Sequence, residues 1–181
     1  RVCVVGTGYV GLVTGACMAE IGHHVVCADS DRRKIAALRA GKIPIHEPGI
    51  DPLVAKNRKA GRLDFVGSIA GAMAHKGRRA EVVFIAVGTP PRPDGSADLS
   101  SVEAVAREVA SCMKGYTLIV DKSTVPVETG AWVAKTIKRF NKSGSPFDVA
   151  SNPEFLSEGS AVKDFLHPDR IVLGVPTHRA E

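Results

Sequence analysis

The sequence predicts an α/β fold in which a doubly wound, mostly parallel sheet carries helices on both faces. Short runs rich in Val and Ile alternate with amphipathic segments along the chain. The runs show little polar alternation, which is typical of strands buried on both faces. The first run is followed at once by a glycine-rich turn that opens a helical segment. Strand, turn and helix in this order indicate the first unit of a Rossmann-like domain.

The individual elements follow from apolar runs and their boundaries. Runs bounded by Gly, Asp or Ser predict strands over 2–6, 24–29, 63–67, 81–88, 116–123, 147–151 and 170–175. Segments with helical spacing predict helices over 9–21, 31–40, 49–60, 99–113 and 127–140. The helix at 99–113 is the clearest, and Asp98 together with the capping-box spacing of Ser100 and Glu103 marks its start. Gly22 is expected directly after the end of the first helix.

Size, charge and cysteine content bound the class of protein. The 181 residues are 44% hydrophobic and 24% charged, as in one globular domain of roughly 100–200 residues. The net charge of +5 is scattered, and only 5% of residues are aromatic, so we expect no nucleic-acid partner. No apolar run approaches the roughly 18–20 residues that cross a bilayer, so we expect no membrane association. Four cysteines without a C-x-x-C pair favour a reducing, cytoplasmic location.

The turn after the first strand has the pattern G-x-G-x-x-G. In a dinucleotide-binding unit Gly6 makes the tight turn, Gly8 lets a pyrophosphate approach the backbone, and Gly11 lets the helix pack close to the strand. The helix N-terminus favours the anion. A structural glycine turn without a ligand is the alternative interpretation of this motif.

An acidic residue at the end of the second strand indicates which dinucleotide binds. The carboxylate of Asp29 can accept both ribose hydroxyls of an adenosine and would repel a 2′-phosphate. We therefore predict NAD as the cofactor. Arg32 and Arg33 follow directly, and arginines in this position can accept a 2′-phosphate, which leaves NADP as the alternative.

Polar motifs follow three later strands, namely "VGTPP" at 87–91, "KSTVPVETG" at 122–130 and "SNPEFLSEG" at 151–159. Carboxyl ends of parallel strands meet at one edge of the sheet, where open α/β sheets bind ligands. If the chain turns helical after Pro153, Glu154 and Glu158 share one helix face. Each polar residue also has a structural interpretation, as a helix N-cap or as a glutamate in a first helical turn.

Taken in order, "GTGYVG", "VGTPP", "KSTVPVETG", "SNPEFLSEG" and "HPDRIVLG" resemble the nucleotide-sugar 6-dehydrogenase family, the UDP-glucose/GDP-mannose dehydrogenases. The motifs extend over essentially the whole chain. The resemblance implies an NAD-dependent, four-electron oxidation of the C6 alcohol of a nucleotide sugar to a carboxylate. UDP-glucose, converted to UDP-glucuronate, is the expected substrate, and GDP-mannose or a UDP-N-acetylhexosamine is the alternative.

Two other classes of protein share part of these motifs. A non-catalytic NAD-binding module would keep the glycines and Asp29 but has no reason to keep Thr124 and both glutamates. A 3-hydroxyacyl or 6-phosphogluconate type of dehydrogenase would share the fold and the first turn. It would leave "SNPEFLSEG" unexplained.

The resemblance also implies roles for individual residues. Thr124 is expected to order a water at the reaction centre, and Glu154 to act as acid and base when a thioester intermediate is hydrolysed. The substrate is expected to contact Glu154, Phe155, Leu156 and Glu158. The cofactor is expected to contact Gly6, Gly8, Tyr9, Val10, Gly11, Asp29, Lys34, Val87, Thr89, Pro90, Ser123, Thr124 and Glu158. No metal is expected, since the six histidines lack ligand spacing.

The family's nucleophilic cysteine, with its lysine and asparagine partners, belongs to a later domain. The cysteines present here fall inside predicted strands and helices, so none is expected to be that nucleophile. We therefore expect residues 1–181 to be the N-terminal NAD-binding domain of a longer enzyme, without its central and substrate-binding domains. The whole enzyme is expected to be a homo-oligomer, whereas this part alone is expected to be a monomer that binds NAD without turnover.

Overall fold

Six parallel strands form one sheet in the computed structural model, which describes residues 1–177. The strands are β1 Val2–Val5, β2 Val25–Ala28, β3 Leu63–Val66, β4 Val82–Ile85, β5 Thr117–Asp121 and β6 Phe147–Ser151. Their order across the sheet is β3-β2-β1-β4-β5-β6, with every neighbouring pair parallel. The order reverses between β1 and β4, which is the switch point where doubly wound sheets bind ligands. The predicted fold class is confirmed.

Helices cover both faces of this sheet in the described part of the chain. They are α1 Tyr9–Glu20, α2 Arg32–Arg39, α3 Ile50–Lys59, α4 Ile69–Met73, α5 Ser100–Cys112, α6 Thr129–Phe140 and α7 Ala161–Leu166. Alternate strand residues enter different cores: Val4 packs with Leu12 and the first face, Val5 with Val102 and the second. The five predicted helices are present. The short α4 and α7 are additional, since five or six residues do not display a helical period.

The ends of two helices test the capping predictions. Helix α1 ends as expected, with Gly22 at φ +110° and its N–H donating to the carbonyl of Ala19 at 3.2 Å. At the start of α5 the capping-box prediction is wrong, because Leu99 occupies the N-cap position and Ser100 is already the first helical residue. Instead the carboxylate of Asp98 accepts the N–H of Ser100 at 3.0 Å and stabilises the first turn.

The strand predicted over 170–175 is wrong. This run meets β6 at a single antiparallel bridge between Ser151 and Gly174. Ile171 and Leu173 are 70% and 55% exposed, so most of the apolar side chains in this run have no sheet neighbour to cover them. Its β-branched composition alone does not make a strand without a continuous partner. His178, one of the six histidines, lies outside the described residues.

The helix expected directly after Pro153 is also wrong. Residues 152–157 are irregular, and α7 begins only at Ala161. The carboxylate of Glu154 accepts the N–H of Leu156 at 2.8 Å, a local bond that competes with helix formation. Glu154 is half-buried and Glu158 is exposed, so the two carboxylates do not share a helix face.

The longest helix in residues 1–177 is α5, with 13 residues. None of the described helices is both long enough and apolar enough to span a bilayer.

Candidate functional site

The glycine-rich turn packs as the motif predicts. Gly6 has φ +101°, and a Cβ at this position would lie 2.4 Å from the carbonyl oxygen of Ala86. A Cβ on Gly11 would lie 2.0 Å from the oxygen of Gly6, so α1 can approach β1 this closely only without a side chain. By contrast, a Cβ on Gly8 would meet no protein atom within 4 Å. The protein therefore leaves open space at Gly8, where a ligand can approach the backbone.

The N-terminus of α1 points its unsatisfied N–H groups toward this space. Gly8 is the N-cap residue and supplies no side-chain acceptor, and the first turn contains no acidic residue. The first N–H groups of a helix lack intrahelical partners and carry the positive end of the helix dipole. This end of α1 therefore fits the pyrophosphate of a dinucleotide.

Asp29, at the end of β2, is held by several donors. Its Oδ2 accepts the N–H and the hydroxyl of Thr7, at 2.9 and 2.7 Å, and the ammonium of Lys34 at 3.2 Å. Its Oδ1 accepts the N–H of Asp31 at 2.9 Å. Burial alone would raise the pKa of Asp29, but the hydrogen bonds from Asp31 and Thr7 outweigh it and lower that pKa. An ionised carboxylate in this place suits ribose hydroxyls and repels a 2′-phosphate.

Two clefts meet at the turn, with Gly8, Ala86, Val87 and Gly88 lining both. The larger, of about 550 Å³, extends over the ends of β1 and β2 and includes Gly6, Asp29 and Lys34. The smaller, of about 230 Å³, extends toward the ends of β4, β5 and β6; its other lining residues are Tyr9, Val10, Thr89, Lys122, Ser123, Thr124 and Glu154. Together they make one elongated depression across the switch point, which fits a dinucleotide with its adenosine beside Asp29.

Hydrogen bonds tie the loops of the smaller cleft together. The hydroxyl of Thr89 donates to the carbonyl of Thr124 at 2.8 Å, which joins the loops after β4 and β5. The hydroxyl of Ser123 donates to the carbonyl of Val87 at 2.9 Å across the same junction. Thr124 itself is exposed, so its side chain is accessible from the cleft.

Some of the predicted site residues line neither cleft in the described part of the chain. Pro90 and Glu158 are exposed and line neither. Phe155 and Leu156 line a separate apolar groove of about 490 Å³, beside α7 and the 170–175 run. Gly11 lies behind the turn as a packing residue. The ligand contacts assigned to these residues stay predictions.

Sequence reasoning gave no role to Lys122, which lines the smaller cleft together with Glu154. Lys122 is 6% exposed, and its ammonium donates to the Oδ1 of Asn152 at 3.0 Å. Burial lowers the pKa of Lys122, and the nearby charge of Glu154 opposes this shift. A lysine at the end of a buried apolar run was the signal in the sequence, because a cation rarely occupies such a place without a partner.

Three of the four cysteines are buried in the core. Cys3, Cys17 and Cys27 are buried, and burial raises the pKa of the Cys3 and Cys17 thiols to about 12. Burial also raises the pKa of the Cys27 thiol. Cys112, on α5, is half-buried. Thiols with raised pKa values are poor nucleophiles.

The fold, the turn and the two clefts define a dinucleotide-binding domain of the dehydrogenase type. The chain belongs to the UDP-glucose/GDP-mannose dehydrogenase family as its NAD binding domain, whose family model matches residues 1–181. The predicted family resemblance and the predicted cofactor, NAD, are thereby confirmed.

Similar proteins include the UDP-glucose 6-dehydrogenase of Rhizobium meliloti, with 53% identity over 97% of this chain and 39% of that protein. UDP-glucose 6-dehydrogenase TuaD of Bacillus subtilis is 48% identical over 99% of this chain and 38% of its own length. A solved UDP-glucose dehydrogenase from Pyrobaculum islandicum superposes with a TM-score of 0.93 at 45% identity, over 99% of this chain and 41% of that one. The chain thus spans about two fifths of the length of these relatives.

Proposed function

We propose that residues 1–181 form the N-terminal NAD-binding domain of an enzyme that oxidises the C6 alcohol of UDP-glucose to the carboxylate of UDP-glucuronate. The reaction consumes one water and two NAD, and it releases two NADH and three protons. The observation that carries the proposal is the depression across the switch point, which has Asp29 at one end and Thr124 and Glu154 at the other. A module that only binds NAD needs that end for half of the cofactor but has no use for the hydroxyl of Thr124 and the carboxylate of Glu154 there.

The choice of UDP-glucose is supported by the pattern of identities. Relatives named UDP-glucose 6-dehydrogenase reach 53% and 50% identity to this chain. The solved GDP-mannose dehydrogenase of Pseudomonas aeruginosa has the same fold, with a TM-score of 0.92, but is 33% identical. The solved UDP-D-ManNAc dehydrogenase of Pyrococcus horikoshii is 29% identical.

The residues of both clefts bind and orient the cofactor. The N–H groups at the start of α1 hold the pyrophosphate beside Gly8, and Asp29 accepts hydrogen bonds from the adenosine ribose. The other half of the cofactor lies among Val87, Thr89 and Ser123, whose loops are tied together. Bound NAD supplies the hydride acceptor for each oxidation.

Glu154 and Thr124 act in the hydrolysis of the thioester formed with a cysteine from outside this chain. The hydroxyl of Thr124 orders a water, and Glu154 takes its proton as the oxygen bonds to the acyl carbon. The carbon–sulfur bond then breaks, and Glu154 returns the proton to the thiolate. Lys122 lines the same cleft as Glu154, and the N–H of Leu156 fixes the orientation of the Glu154 carboxylate. Phe155, Leu156 and Glu158 contact the nucleotide sugar.

The test is the number of NADH formed per sugar by the whole enzyme, offered UDP-glucose, GDP-mannose and a UDP-N-acetylhexosamine in turn with excess NAD. Two NADH per UDP-glucose, and little product from the other sugars, is the expected result. One NADH per sugar would contradict the four-electron reaction and the role of Glu154. Preference for another sugar would overturn the substrate and keep the cofactor site.

A further inference from the structure

We propose that Glu47 is a positioning residue that ties the cofactor turn to the segment carrying Glu154, so that cofactor binding and the placement of the catalytic carboxylate depend on one shared group. The proposal rests on the proposed function, since Glu154 is the group that Glu47 positions. Glu47 lines neither cleft, so it acts through its neighbours.

Glu47 occupies an unusual place for a loop glutamate. It lies in the connection between α2 and α3, within "HEPGI" at 46–50, which by sequence indicates only a turn into a helix. The residue is 5% exposed. A buried carboxylate is costly unless donors surround it, so its partners indicate why it is there.

The partners come from two elements that are distant in sequence. The hydroxyl of Tyr9 donates to Oε2 of Glu47, and the N–H of Gly159 donates to the same oxygen at 2.8 Å. The N–H of Val162, in the first turn of α7, approaches Oε1 at 3.5 Å. Every partner is a donor, which a carboxylate satisfies and an amide cannot. Burial alone would raise the pKa of Glu47, but these hydrogen bonds outweigh it and lower that pKa.

One of these partners belongs to the cofactor site. Tyr9 is the first residue of α1, directly after Gly8, and it lines the smaller cleft together with Glu154. Burial and the hydrogen bond to Glu47 raise the pKa of Tyr9 to about 12, so its hydroxyl stays a donor. A ligand that orders the start of α1 therefore also orders Glu47.

The other partners fix the far end of the catalytic segment. At its near end the N–H of Asn152 donates to the carbonyl of Asp121 at 2.9 Å, which continues the pairing of β6 with β5. At its far end Gly159 is held by Glu47. Glu154 lies between these anchors in irregular backbone. On the far side the N–H of Ser157 also donates to Asp164 of α7 at 3.0 Å, and Glu47 holds the start of that helix, so losing Glu47 loosens both contacts.

The first test is Glu47→Gln in the whole enzyme, with NADH formation followed from the first turnover. The expected result is a burst of about two NADH per active site followed by a steady state at least about tenfold slower than wild type, because a misplaced Glu154 slows hydrolysis after both oxidations. Tyr9→Phe removes a single donor and is expected to give a smaller change of the same kind, with little added effect in the Glu47→Gln background.

Glu20→Gln is the matched control. Like Glu47, Glu20 links α1 to another part of the chain, since its Oε2 accepts the amide of Asn57 on α3 at 2.8 Å. It lies at the end of α1 opposite the clefts. A loss of folded enzyme lowers burst and steady state together. If Glu47→Gln behaves in that way, or leaves both unchanged, Glu47 is only structural and the proposal fails.

A second test does not depend on turnover. In hydrogen–deuterium exchange, NAD is expected to protect the 153–160 segment of wild type and Glu20→Gln, and to protect it much less in Glu47→Gln. Equal protection in all three would overturn the coupling. Wild-type enzyme that shows this protection but forms no NADH from any nucleotide sugar would instead refute the proposed function.

Discussion

Asp121 carries a buried carboxylate whose ionisation should oppose folding. The residue ends β5 and is 2% exposed. Its Oδ1 accepts the N–H of Ser123 at 3.1 Å, whereas its Oδ2 contacts no hydrogen-bond donor in the described part of the chain. Burial therefore raises the pKa of Asp121 from 3.8 to about 6, against the effect of the Ser123 hydrogen bond.

The direction and size of the effect follow from proton linkage. Between pH 3.8 and about 6 the folded chain keeps a proton that the unfolded chain releases, so stability falls as pH rises through this window. The cost is absent well below pH 3.8, about 1 kcal/mol at pH 4.5, and about 3 kcal/mol above pH 7. These values are the free energy of unfolding that the charge on Asp121 removes.

The assay is urea unfolding of wild type and Asp121→Asn at pH 4.5 and pH 8, followed by circular dichroism. The amide keeps an acceptor for Ser123 and removes the titration, so the variant should gain about 2 kcal/mol on wild type between these pH values. Asp98→Asn is the control. The hydrogen bond from the Ser100 N–H lowers the pKa of Asp98, so this carboxylate is ionised at both pH values. The substitution should therefore change the free energy of unfolding by the same amount at pH 4.5 and pH 8. A pH-independent difference for Asp121→Asn would refute the burial of an ionised carboxylate.

Four further substitutions test the clefts and the glycine-rich turn. Glu154→Gln should slow thioester hydrolysis by about a hundredfold or more, measured by burst kinetics, while NAD affinity, measured by NADH fluorescence, stays nearly unchanged. Equal losses of hydrolysis rate and NAD affinity would contradict the role of Glu154. Asp29→Asn should weaken NAD binding by about tenfold or more in calorimetric titrations, and unchanged affinity would place the ribose elsewhere. Gly11→Ala should lower the free energy of unfolding by about 3 kcal/mol, because its Cβ meets a carbonyl at 2.0 Å. Gly8→Ala, with open space around it, should fold normally and bind NAD more weakly; the reverse pattern would refute both assignments.

Much of the cofactor site can be predicted from sequence because its determinants are local. The turn from Gly6 to Gly11, the helix behind it and the acid at Asp29 occupy one continuous β-α-β unit. Alternating strands and helices, with strands apolar on both faces, leave a parallel sheet as the natural arrangement. Right-handed crossovers and ligand binding at strand carboxyl ends then bring the motifs after β4, β5 and β6 to the same edge.

Other features depend on contacts that local patterns do not contain. The apolar run 170–175 has the composition of a strand but meets β6 at one bridge, and the segment after Pro153 exchanges a helical turn for a hydrogen bond within Glu154–Leu156. The environment of Asp121 likewise follows from which side chains close around it.

The sequence by itself determined the fold class and the glycine-rich turn, and it predicted Asp29 as the acid beside the cofactor, since each follows from residues close together in the chain. Only the tertiary structure decided that Glu47 and Gly159, 112 positions apart, share a hydrogen bond, and that Tyr9 joins them. A buried carboxylate takes its donors from whatever backbone the folded chain brings within 3 Å, and no periodicity records that choice.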